Sequence, residues 1–140
     1  MGAREVLCID IDFGVLRIAR DFIRGKGYAM LEAINADVRY LGLKHVDTVI
    51  MNPPFGVHRR GADMLFLRKA LELRPNAVYT IHKYSPESHK LICEIVYGSG
   101  YNIIDMSVKF MHIHATHPLH RKRVHKFRVA IYAISRGVGQ

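Results

Sequence analysis

Four consecutive residues carry the clearest chemical signal in the sequence: Asn52-Pro53-Pro54-Phe55, directly after the apolar, β-branched run Val46 to Met51. A carboxamide oxygen and a proline-flanked backbone carbonyl are two acceptors able to hold both hydrogens of a planar exocyclic amine. The nitrogen lone pair is then left to face an electrophilic methyl group. Prolines stiffen such a loop and remove competing N–H donors. Phe55 adds a flat face on which a nucleobase stacks for ~1–3 kcal/mol. Proton loss can follow transfer, so positioning carries the catalysis and no base of shifted pKa is required. The same tetrapeptide also serves as an ordinary strand-ending turn.

The elements around it favour the chemical reading by location. Val6 to Asp10 reads as a strand, with Asp12 as N-cap of a helix running through Phe13, Leu16 and Phe22-Ile23 to Gly25 and Gly27. Ala29 to Ile34 and Val46 to Met51 are further strands, the latter apolar enough to suit a parallel sheet covered on both faces. Ala62 to Leu73 has helical spacing, Asn76 to Ile81 is a strand, and Ser85-Pro86-Glu87 opens a helix that Gly98 and Gly100 close. Asn102 to His112 and His125 to Ser135 have no helix between them and read as an antiparallel pair. The pattern is a doubly wound α/β sheet with a C-terminal antiparallel hairpin. Asn52 then stands at the carboxyl edge of the sheet, where open α/β folds bind ligands.

With 140 residues, 49% of them apolar, the chain suits a single domain spanning 1–140. It shows no membrane span and no signal-peptide pattern, and an intracellular, cytoplasmic protein is expected. Cys8 and Cys93 lie in apolar runs without a CxxC partner, as core residues do. Through Asp105 there are fourteen Lys and Arg against twelve Asp and Glu; beyond it there is no acid, while Lys109, Arg121, Lys122, Arg123, Lys126, Arg128 and Arg136 follow. A one-signed segment of this kind suits a phosphate backbone, although a solvated surface has the same composition. The stretch His112 to Arg128 holds five histidines and five Lys or Arg. His112, His114, His117 and His120 are not read as metal ligands, because no cysteine or carboxylate completes a set.

The segment Asp47-Thr48-Val49-Ile50-Met51-Asn52-Pro53-Pro54-Phe55-Gly56 resembles the catalytic stretch of class I S-adenosylmethionine-dependent N6-adenine methyltransferases. It is most similar to archaeal and eukaryotic members that modify small-subunit ribosomal RNA. Gly61-Ala62-Asp63-Met64, Phe66-Leu67, Ala77-Val78-Tyr79 with His82-Lys83, and His125-Lys126 resemble the same family in order and spacing. The resemblance implies a Rossmann-like fold, catalysis by Asn52, Pro53, Pro54 and Phe55, and S-adenosylmethionine held by Asp10, through the ribose hydroxyls, and by Asp37 and Val38, at the adenine ring. For either aspartate alone, a cap or a turn is the better reading; only their order relative to Asn52 favours the cofactor role. RNA, ribosomal by resemblance, would meet His82, Lys83, Arg121, Lys122, Arg123 and Lys126. A small zinc-binding activator would dock by β-augmentation on the edge strand Ala29 to Ile34.

The family resemblance also sets an expectation of absence. Members open with a central strand and a glycine-rich cofactor loop, and this sequence shows neither; Gly25-Lys26-Gly27 and Gly98-Ser99-Gly100 read as helix ends instead. Met1-Gly2-Ala3-Arg4 resembles an internal link of the family, so an N-terminally truncated domain that binds cofactor weakly is expected. The strands ending at Asp10 and Ile34 would then be parted from those ending at Met51 and Ile81. Rival activities are methylation of DNA adenine or of a protein glutamine, whose amide also presents an NH2. Glutamine-modifying relatives resemble one another in a tyrosine where Phe55 stands. A catalytically inactive RNA-binding remnant is a further alternative.

Overall fold

A computed structural model describes residues 2–54, 61–113 and 125–137. In chain order it contains β1 (Val6–Asp10), α1 (Phe13–Lys26), β2 (Leu31–Asn35), a 3-10 turn (Val38–Tyr40), β3 (Thr48–Met51), α2 (Ala62–Glu72), β4 (Ala77–Lys83), α3 (Pro86–Gly98), β5 (Tyr101–Ile113) and β6 (His125–Arg136). Contacts divide the chain into two units, Met1–Gly42 and Leu43–Gln140. The described strands form two sheets, β1-β2 and β3-β4-β6-β5, the division expected from the sequence.

In the first unit β1 and β2 pair in parallel, from Val6 opposite Leu31 to Asp10 opposite Asn35. The crossover is α1, started by Asp12, whose carboxylate accepts from the amides of Gly14 at 2.7 Å and Val15 at 3.2 Å. Gly27 ends it at φ 68°, a left-handed conformation that glycine adopts without a Cβ penalty. The apolar stripe buries Leu16 and Ile23. The second strand begins two residues later than the sequence suggests, because Ala29 donates to the Gly27 carbonyl and Leu31 to that of Tyr28, which makes this stretch a turn.

In the second unit β3 is parallel to β4, while β6 runs antiparallel between β4 and β5. Helices α2 and α3 supply Met64, Leu67, Ala70, Leu71, Ile92, Ile95 and Val96 to one core, against Val78, Tyr101, Ala130, Tyr132 and Ile134 of the strands. Alternation along β4 buries Val78, Thr80 and His82 on that face and turns Tyr79 and Lys83 outward. One expectation is corrected here. Val49 and Met51 pack against the core, but Ile50 is 82% exposed, so β3 is covered on one face within its unit. It is the end strand of that sheet, and its apolar sequence did not reveal this.

The hairpin carries one irregularity with consequences for side-chain direction. Ile103 faces Ile134, but Asp105 faces Ala133, which leaves Ile104 as the inserted residue of a β-bulge. Beyond the bulge Met106, Val108, Phe110 and His112 therefore lie on the face shared with Tyr132, Ala130, Arg128 and Lys126. Ser85 caps α3 in a reciprocal box: its hydroxyl accepts from the Ser88 amide at 3.1 Å, and its own amide donates to the Ser88 hydroxyl at 2.8 Å. Replacing Ser85→Ala should cost about 1 kcal/mol of unfolding free energy. Ser85→Asp, which keeps an acceptor, should stay close to the parent. Urea unfolding of both variants monitors this, and an unchanged alanine midpoint would show that the cap contributes nothing.

Candidate active site

Asn52 follows the last residue of β3, so the pairing of Met51 with Thr80 places it at the carboxyl end of the β3-β4 pair. Its side chain is exposed and has no hydrogen-bond partner among the described residues, while Pro53 is buried and Pro54 exposed. Pro53 anchors the chain in the protein, and the adjoining carboxamide is exposed, with neither function partnered among the described residues. Phe55 lies outside the described residues.

The far side of this loop is held by α2. Its first turn carries Asp63, whose Oδ2 is 3.2 Å from Nδ1 of His82; the other ring nitrogen of His82 is 2.9 Å from the Thr80 hydroxyl. An ionised carboxylate only accepts, so Nδ1 carries the proton and Nε2 accepts from Thr80. The network is complete and fully enclosed at the ring, with His82 at 0% exposure. Burial lowers its pKa against the upward pull of Asp63, so the imidazole is neutral at neutral pH. A lowered pKa means that the unfolded chain takes up the proton first. The stabilisation by His82 is thus intact above its ordinary pKa, 6.5, and is lost as pH falls below it.

These positions correct one assignment from the sequence. His82 was expected among the RNA contacts at a strand end; β4 instead continues through Lys83, which turns the imidazole into the core, away from any surface RNA can reach. Lys83 and Lys126 are exposed, as a phosphate contact requires, and Arg121, Lys122 and Arg123 lie outside the described residues. The Asp63–Thr80 partnership of His82 was not anticipated. Its signal was the co-occurrence of Asp63 and His82 in the family-like segments. On β6, opposite Thr80, Tyr132 stacks on His89 of α3 with ring centroids 5.9 Å apart and its hydroxyl 3.0 Å from Nδ1. Burial raises the Tyr132 pKa well above the ordinary phenol range, which keeps it a donor.

In the first unit, the carboxyl ends of β1 and β2 bring Asp10, Asn35 and Asp37 together. Asp10 is exposed and accepts from the Asp12 amide at 2.9 Å through one oxygen. The Asn35 carboxamide donates to the carbonyls of Asp10 at 3.2 Å and Ile11 at 2.9 Å, fixing the strand ends. Asp10 thus fits a vicinal diol, since its second oxygen accepts no hydrogen bond among the described residues. Asp37 is more committed. It caps the 3-10 turn through the Arg39 amide at 2.9 Å, and the Arg39 guanidinium grips both its oxygens. A ligand amine would share this carboxylate with Arg39. Val38, half-buried, begins the turn. Among the described residues no group of three or more His, Cys, Asp or Glu could hold a metal; His114, His117 and His120 lie outside them. No described helix is long and apolar enough to cross a membrane.

Similarity to known proteins now bears on this arrangement. A solved structure from Pyrococcus horikoshii, a candidate RNA methyltransferase, superposes with TM-score 0.85 at 31% identity over 98% of this chain and 66% of that one. The chain has the Rossmann-like methyltransferase fold. Its sequence kinship within that fold is specific: it is 40% identical over 89 residues to the rRNA N6-adenosine methyltransferase METTL5 of Danio rerio, covering 59% of this chain and 43% of that protein. An uncharacterised Methanocaldococcus jannaschii protein is 30% identical over 97% of this chain and 65% of its own length. The chain spans between 43% and 66% of the lengths of these three relatives. No family model matches the chain.

The Arg39 hydrogen bonds, then the charge, hold the Asp37 carboxyl down to about 2 from its ordinary 3.8. The depressed value means that the pairing is intact above pH ~4 and is lost as pH falls towards ~2. Carboxyl NMR titration should place the Asp37 midpoint near the lower figure and return it to the ordinary range in Arg39→Ala. A midpoint that does not move would show that Arg39 is not its partner.

Proposed function

We propose that this chain is part of an enzyme that transfers a methyl group from S-adenosylmethionine to the exocyclic N6 of an adenine in ribosomal RNA. One observation carries the reading: the Asn52 carboxamide is exposed at the carboxyl end of β3 and unpartnered among the described residues, with Pro53 buried beside it. The Asn52 side-chain oxygen and the Pro53 carbonyl would accept the two amine hydrogens, and Phe55 would stack on the flipped base. The cofactor would supply a methyl group on sulfonium. Asn52 and Pro53 would aim the amine lone pair at that methyl group, and the methylated amine would afterwards release its proton to water. Asp10 would hold the cofactor ribose, and Asp37 and Val38 its adenine.

Kinship with an rRNA N6-adenosine methyltransferase supports adenine in RNA over DNA adenine or protein glutamine. Lys83, Lys126, Arg121, Lys122 and Arg123 would neutralise phosphates, whereas His82 would act from within by positioning α2. The alignment of 98% of the chain to one solved structure supports the assignment of both units to a single methyltransferase domain. A zinc-binding activator on the edge of β2 would be consistent with a strand that pairs only with β1 among the described residues, and a cytoplasmic location fits both partners. In the active enzyme, Asn52→Ala should reduce methyl transfer to adenine by at least about a hundredfold while cofactor affinity stays within a few fold, as for a side chain acting on the acceptor. Equal loss of both would show that Asn52 serves the fold or the cofactor.

A further inference from the structure

The β5-β6 hairpin continues past the end of β4, on the same edge of its sheet as Asn52. The last β4 pairing joins Lys83 to Val129, and beyond it Phe110 faces Arg128 and His112 faces Lys126. The bulge at Ile104 puts Phe110 on the same face as Arg128 and Lys126; an unbroken ladder with Ile104 opposite Ala133 would turn it to the other side. Two rings and two cations interleave there. The Lys126 ammonium lies 4.4 Å from the centroid of Phe110, and the Arg128 guanidinium 5.1 Å from that of Tyr84. The Tyr84 amide also donates to the Arg128 carbonyl at 2.9 Å, fixing the base of the strip. Phe110 is 62% exposed, a large apolar side chain left in water beside a cation. The acid nearest in β5, Asp105, faces Ala133 and so lies on the opposite side of the hairpin.

We propose that Phe110, Lys126 and Arg128, with Tyr84 beneath, form a binding strip for an unpaired RNA nucleotide flanking the target adenine. The base stacks on Phe110, and its phosphate takes Lys126 and Arg128. The proposal rests on the adenine-methylation reading only for the word flanking. An exposed cation–π contact is weaker than a base stacked on an aromatic ring, so a nucleotide displaces Lys126 from the ring onto its phosphate. By strand geometry the strip lies about 10 Å farther along the strands than Asn52 and about 14 Å across them, the reach of a few nucleotides. An acidic peptide would use the cations but leave the ring idle, and duplex RNA hides its base faces; a single strand uses both.

The test is fluorescence anisotropy of the full chain with a labelled single-stranded oligoadenylate, a duplex RNA and heparin, a polyanion without bases. Phe110→Ala should weaken single-strand binding by about five- to a hundredfold, Phe110→Tyr should restore it, and Phe110→Leu should not. Duplex and heparin affinities should stay unchanged. Lys126→Gln should reduce the salt slope by about one. Leucine binding as well as phenylalanine, or parallel loss of heparin affinity, would overturn the strip. Unchanged single-strand affinity in Phe110→Ala with adenine methylation intact would also overturn it and leave the activity standing. Phenylalanine-dependent binding without methylation would support the strip and count against the activity alone.

Discussion

The buried hydrogen bonds of His82 to Asp63 and Thr80 are the interaction on which the candidate site depends. Asn52 leaves β3, which is aligned by its pairing with β4, and the chain re-enters described structure just before α2, whose first turn carries Asp63. Both ends of the intervening loop are thereby referred to β4. Within that enclosure a neutral imidazole with two partners is stable, whereas losing either partner strands a buried polar atom at a cost of about 1–3 kcal/mol. Tyr132, fully buried, lies edge-on to the His82 ring with centroids 6.1 Å apart. A loop that must hold an amine by two acceptors gains from such anchoring, because its catalytic contribution is geometry.

Local signals in the sequence were read well where a single residue type dictates backbone behaviour. Asp12 and Ser85 cap helices, Gly27 and Gly100 close them in left-handed conformations, and the two C-terminal strands form the expected antiparallel pair. What remained hidden depended on neighbours. Nothing in Val49-Ile50-Met51 tells an end strand from a covered one, and nothing in Ile103-Ile104 marks a bulge, although that residue sets the direction of the rest of β5. His82 was misplaced because β4 runs to Lys83, and in a strand a change of end point alters which side chains face inward.

The candidate site was legible in its type more than in its support. Asn52 and Asp10 stand exposed at strand ends, as their proposed roles require. Asp37 caps the turn after β2, and its carboxylate is already gripped by Arg39, a contact two residues away that spacing alone does not announce. Kinship with an rRNA N6-adenosine methyltransferase and a shared fold give these scattered residues one chemical context. The Phe110 strip extends that context from the reacting adenine to its neighbours, and it too was invisible until the register of the hairpin was known.

The central claim is that adenine N6 in ribosomal RNA is the acceptor. Nucleoside mass spectrometry of ribosomal RNA from cells with and without the gene tests it most directly. The account predicts that N6-methyladenosine falls at one position when the gene is removed and returns with the intact gene but not with Asn52→Ala; an unchanged methyladenosine content would contradict it.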